Sequence, residues 1–75
     1  MTLKELNVGE TGTVAGYAPA ARAYRRKLLS MGLTPGTEFR ITRIAPMGDP
    51  VEIQVRGFKL SLRRDEADAL HVEKR

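Results

Sequence analysis

The sequence predicts a mainly β fold: about five short strands curled into a small, partly open barrel, with one α-helix inserted after the first strand. Three observations predict it. Beyond Thr37, apolar and polar residues alternate in several short runs, the two-residue period of half-buried strands. Between Pro19 and Gly32 the apolar spacing lengthens to that of a helix. The whole chain has only 75 residues, so a single domain spanning 1–75 is expected. A chain this short buries only about 60% of the surface its unfolded form exposes, which leaves little for a deep catalytic cleft.

The opening, Leu3 to Gly9, carries Leu3, Leu6 and Val8 and reads as a short helical turn ending at a glycine. Gly12 to Tyr17 reads as the first strand, with a glycine that marks a bulge or a close backbone approach. Pro19 suits a first helical turn, and Ala20 to Met31 holds only tolerable helix formers, so a helix is expected over about 20–31. Tyr24, Leu28 and Met31 share its inner face, with Ala21 beside them. Gly32 stands where a helix ends in a left-handed residue, and Thr34-Pro35-Gly36-Thr37 has the central pair of a type II turn.

Phe39 and Ile41 alternate with polar neighbours, but the next apolar residue is Ile44, a slip in phase that a β-bulge produces. Ala45 to Pro50 is a turn cluster. Val51, Ile53 and Val55 alternate cleanly; Gly57 marks a reversal; Phe58, Leu60 and Leu62 alternate again, all read as core-facing. Asp65 to Ala69 reads as one helical turn capped by an acidic residue, and Leu70 to Val72 as a last strand. So small an antiparallel set must close its edges, which favours an SH3-like barrel.

Absences narrow the function. With no cysteine there is neither a disulfide nor a thiolate metal site. No run approaches the ~20 apolar residues that cross a bilayer. Met1 to Asn7 lacks the basic start and apolar stretch of a signal peptide. The cytoplasm is therefore the expected compartment, without direct membrane insertion. No phosphate-binding loop or dinucleotide fingerprint is present. The only histidine, His71, falls in the last strand, and Asp65, Glu66 and Asp68 cluster in a polar turn, so no enzyme and no cofactor are expected. His71 and Glu73 share one strand face and are weak candidate ligands for a metal; two donors are fewer than the three or four that define a site.

Thirteen Lys and Arg against nine Asp and Glu give a net charge of +4. The excess is uneven: from Thr11 to Thr37 there is no acidic residue, while Arg22, Arg25, Arg26 and Lys27 all fall there. Leu29 lies three residues after Arg26, four after Arg25 and seven after Arg22, inside the arginine face of the helix. It is either an interface anchor ringed by cations or a residue folded under the Leu33–Pro35 loop. Arg22, Arg25, Arg26 and Leu29 are the candidate partner-binding residues.

Lys27-Leu-Leu-Ser-Met-Gly-Leu-Thr-Pro-Gly36 resembles the L-x-x-[ML]-G-[LM]-x-P-G segment of the FeoA family, carried here by Leu28, Met31, Gly32, Leu33, Pro35 and Gly36. Ala45 to Pro50 and Leu62 to Leu70 resemble the second half of that family, so the likeness runs from about Leu3 to Glu73. The resemblance implies an SH3-like fold and an accessory role in bacterial ferrous-iron uptake. It also implies docking onto the cytoplasmic GTPase domain of the membrane transporter FeoB. Related domains end the iron-dependent repressors, so a metal-sensing domain is an alternative, although a chain starting at its own Met1 is not expected to carry a DNA-binding domain. A basic nucleic-acid-binding barrel is a further alternative. With two Phe and two Tyr, and both Phe read as core, stacking platforms are scarce and no nucleic acid is expected as partner. Neither the oligomeric state nor the effect on the transporter follows from the residues.

Overall fold

A computed structural model describes residues 1–19 and 22–75. Five strands form one antiparallel sheet in the order β4-β3-β2-β1-β5: β1 is Thr11–Tyr17, β2 Glu38–Ile44, β3 Val51–Val55, β4 Phe58–Leu62 and β5 Leu70–Lys74. The sheet curls around one core but β4 and β5 do not pair, so the barrel is partly open. Helix α1, Arg22–Ser30, follows β1, and a helical turn, α2, Arg64–Asp68, precedes β5. Ala20 and Ala21, the expected start of the helix and of its inner face, lie outside the described residues.

Alternation places the core. Val14, Phe39, Ile41, Val51, Ile53, Val55, Leu62, Leu70 and Val72 all turn inward and are buried. Leu3, the first residue of the 3-10 turn Leu3–Glu5, and Leu6, which follows it, are both buried in the core, while Val8 beyond them is exposed.

The phase slip in β2 is a bulge: the β2–β3 register shifts between Ile41 and Arg43. A second irregularity lies in β1, between Val14 and Gly16 against β5. Gly12 serves a close approach instead. A Cβ there would meet the Glu73 carbonyl oxygen at 2.7 Å and the Phe39 ring at 2.9 Å. The larger twist that bulges impart lets five strands wrap so small a core.

Helix α1 closes at Gly32 in a Schellman arrangement. The Leu33 N–H donates to the Leu28 carbonyl at 3.0 Å, the Gly32 N–H donates to the Leu29 carbonyl at 3.0 Å, and Gly32 has φ +88°. Leu28 and Leu33, the hydrophobic pair of that motif, are both fully buried. The Tyr17 hydroxyl, at the end of β1, donates to the Leu33 carbonyl at 2.6 Å. Thr34 to Thr37 then turns the chain into β2, with the Thr37 N–H on the Thr34 carbonyl at 3.0 Å.

Two expectations are corrected. Phe58 is not a core residue: it is 45% exposed, because β4 is the last strand of the sheet and Phe58 opens it directly after the Arg56–Gly57 turn. The α2 turn is not capped by an acidic residue at its start. It begins at Arg64, one residue early, and Glu66 reaches back from inside it to accept the Arg63 N–H at 2.9 Å. Glu66 is itself buried and forms an ion pair with Lys27, which ties α2 to the last turn of α1.

Candidate functional site

Because α1 runs without a break from Arg22 to Ser30, helical spacing puts Arg22, Arg25, Arg26 and Leu29 on one side and Leu28 on the other. Tyr24 and Met31 are half-buried against the core beside Leu28. All four outer residues are exposed, Leu29 at 40%. Leu29 is therefore not folded under the following loop. Leu28, one position earlier, fills that place.

The cations on this helix differ in how far the protein already engages them. Lys27 is taken by Glu66. The Arg25 guanidinium sits 5.7 Å from the centre of the Tyr17 ring, in the range of a cation–π contact. Burial pushes the Tyr17 hydroxyl up, against the pull of Arg25. Among the described residues, Arg22, Arg25 and Arg26 have no carboxylate within ion-pair distance. Arg22 and Arg25, with Tyr17, Ala18 and Pro19, line a shallow cleft of about 310 Å³. Among the described residues the face thus offers positive charge without a carboxylate partner around one exposed leucine. That arrangement can attract and hold an acidic, partly apolar protein surface.

The signature residues serve the fold. Leu28, Gly32 and Leu33 make the helix end, and Pro35 and Gly36 make the turn into β2. His71 and Glu73 stand exposed on the outer side of β5, opposite Gly16 and Thr13. Among the described residues no three His, Cys, Asp or Glu side chains come together as a metal set.

Two features escaped the sequence. Glu66 looked like one of three solvated carboxylates; only the approach of Lys27 from α1 distinguishes it, and nothing in the local pattern signals that. Phe58 had the right period for the core, and the one available signal was its place at a hairpin opening.

Comparison with known proteins bears on this arrangement. The chain matches the family model described as the FeoA domain over residues 1–74. The NMR structure of a FeoA-like protein from Clostridium acetobutylicum superposes with a TM-score of 0.87 at 40% identity, over 99% of this chain and 85% of that one. The crystal structure of Stenotrophomonas maltophilia FeoA complexed with zinc, described as a procaryotic SH3 domain protein, superposes with a TM-score of 0.80 at 32% identity, over 97% of this chain and 89% of that one. A Fe(2+) transport protein A/Fe(2+) transporter FeoB fusion protein of Porphyromonas gingivalis is 30% identical over 73 residues, which is 97% of this chain and 8% of that relative's length. The chain therefore spans under a tenth of that curated relative.

Proposed function

This chain belongs to the FeoA family, and on that premise we propose that it serves ferrous-iron uptake as a non-enzymatic, cytoplasmic module that docks on the GTPase domain of FeoB. The fusion of the two proteins in Porphyromonas gingivalis supports the pairing, because chains joined in one polypeptide meet at high effective concentration. No helix among the described residues is long and apolar enough to cross a membrane, so the partner is taken to supply any attachment to one.

The single observation that carries the reading is the outer face of α1, where Leu29 is exposed among Arg22, Arg25 and Arg26 and none of the three arginines has a carboxylate partner among the described residues. The arginines steer an acidic surface into contact, and burial of Leu29 then supplies hydrophobic free energy. The metal-sensing alternative has no three-donor cluster behind it among the described residues.

The test is capture of the purified FeoB cytoplasmic domain, with and without guanine nucleotide, followed by binding kinetics. Arg26→Glu should slow association and flatten its dependence on salt, while leaving the melting temperature in place. Absence of capture under every nucleotide condition, or an Arg26→Glu rate equal to wild type, would sink the proposal.

A further inference from the structure

The two sides of the sheet end differently. At the β5 side, the outward N–H of Val72 donates to the Met1 carbonyl at 2.9 Å, so the N-terminal stretch covers part of that edge. At the β4 side nothing comparable occurs among the described residues.

The hairpin fixes which backbone groups of β4 are free. Val55 pairs with Phe58, Gln54 with Lys59, Ile53 with Leu60, Glu52 with Ser61 and Val51 with Leu62. A two-residue turn closes on a hydrogen-bonded pair, and such pairs alternate with non-bonded ones. Phe58, Leu60 and Leu62 therefore direct their N–H and C=O groups to β3, while Lys59 and Ser61 direct theirs away from the sheet. Among the described residues neither Lys59 nor Ser61 makes any other backbone bond.

Charge and side-chain placement along this edge are specific. From Ile53 to Arg64 there is no acidic residue, but Arg56, Lys59, Arg63 and Arg64 are present. Among the described residues Lys59 meets only the Glu52 carboxylate of the next strand, at 3.9 Å. On the opposite face of the strand Phe58 is 45% exposed. It borders a cleft of about 230 Å³ shared with Gly32, Thr34, Thr37, Val55 and Arg56.

We propose that the free edge of β4 receives an extended, acidic segment of a partner protein as an added strand. The main chain of Lys59 and Ser61 supplies the pairing. Side chains of the segment alternate with the pleat. Those on the Lys59 face are acidic, and those on the Phe58 face are apolar, one of them seated at the Phe58 cleft. A second copy of this chain is poorly suited, since it would bring the same cations to the same edge. An edge lysine is itself a guard against such self-pairing. This surface belongs to β4, not to α1, and does not depend on the FeoB reading.

The probe is a blocked eight-residue peptide alternating Glu and Val. In the free protein the Lys59 and Ser61 amides should exchange rapidly with solvent, and saturating peptide should slow both at least about tenfold. The same peptide with Lys in place of Glu should give no protection, nor should one N-methylated on its pairing amides. Ser61→Pro removes an outward donor and leaves the β3 pairing intact. It should keep the melting temperature and weaken peptide binding about tenfold, the range of one lost hydrogen bond.

The proposal fails if those amides are already protected in the dilute free protein, or if protection rises with protein concentration alone, which would assign the edge to self-association. It fails equally if the Lys peptide binds as well, if mixed-sequence RNA and not the peptide protects the edge, or if Ser61→Pro unfolds the chain.

Discussion

Leu28 and Leu29 are neighbours in sequence with opposite fates: the first is fully buried and the second is 40% exposed. One residue turns the side chain by about 100° around the helix axis, enough to carry it from the barrel to solvent. Burying a leucine contributes roughly 1.5–3 kcal/mol, so Leu28 stabilises the fold, whereas Leu29 can release most of that only when another surface covers it. The helix therefore has a side that packs on the barrel and a side that faces solvent. The last turn, with Gly32 and the Lys27–Glu66 pair, holds the two in register.

The largest expected effect lies on the inner side. Leu28→Ala should destabilise the protein by about 2–5 kcal/mol, seen as a lower midpoint in urea, because it opens a cavity against Leu33 and the sheet. A loss below about 1 kcal/mol would break the comparison.

Next comes the helix end. Gly32→Val should cost about 1–2 kcal/mol, because a side chain at φ +88° is strained. The cost is backbone strain and not crowding, since a Cβ there would meet only the Phe58 ring, at 3.8 Å. Gly32→Asn should therefore recover part of the loss in the same thermal melts, as asparagine tolerates that region better.

A smaller effect should appear in acid. Desolvation opposes ionisation of Glu66, but hydrogen bonds from Lys27 and the Arg63 N–H outweigh it and hold the carboxyl below its ordinary 4.5. Because the folded value is depressed, this stabilisation is fully present above pH 4.5 and is lost as pH falls through the lower folded value. Glu10, hydrogen-bonded to Lys74, acts in the same direction. Melting temperatures followed from pH 7 to pH 3 should fall below about 4.5 in wild type. They should fall less in Glu66→Gln, which keeps an acceptor for Arg63 but not the charge.

The smallest effect is on the outer side. Leu29→Ala should leave stability within about 0.5 kcal/mol of wild type, as surface substitutions generally do. In the capture of the FeoB domain it should weaken binding. Equal losses of stability at positions 28 and 29 would mean that both leucines belong to the core.

Much of this helix was readable in advance because its signals are local. The spacing of Tyr24, Leu28 and Met31, the glycine at the helix end and the Pro35–Gly36 turn each depend on residues within a few positions. The bulge after Ile41 was equally visible, since a one-residue slip in a period of two has few other causes. Residues whose environment comes from distant elements were not readable in the same way. Phe58 follows the core period, yet among the described residues no strand lies beyond β4 to cover it. Glu66 sits between an exposed Asp65 and a half-buried Asp68, yet it is the one of the three that is buried, beside a lysine 39 positions earlier in the chain.

The sequence alone determined the family, the element order, the inward faces of β2 and β3 and the end of the helix, because periodicity and turn chemistry act over short stretches of chain. The tertiary structure alone decided which leucine of a pair meets solvent, which carboxylate is buried beside a lysine, and which edge of the sheet stays open. Those outcomes depend on whether another segment arrives to fill the space; among the described residues β5 has Met1 beside it while β4 has no such backbone partner.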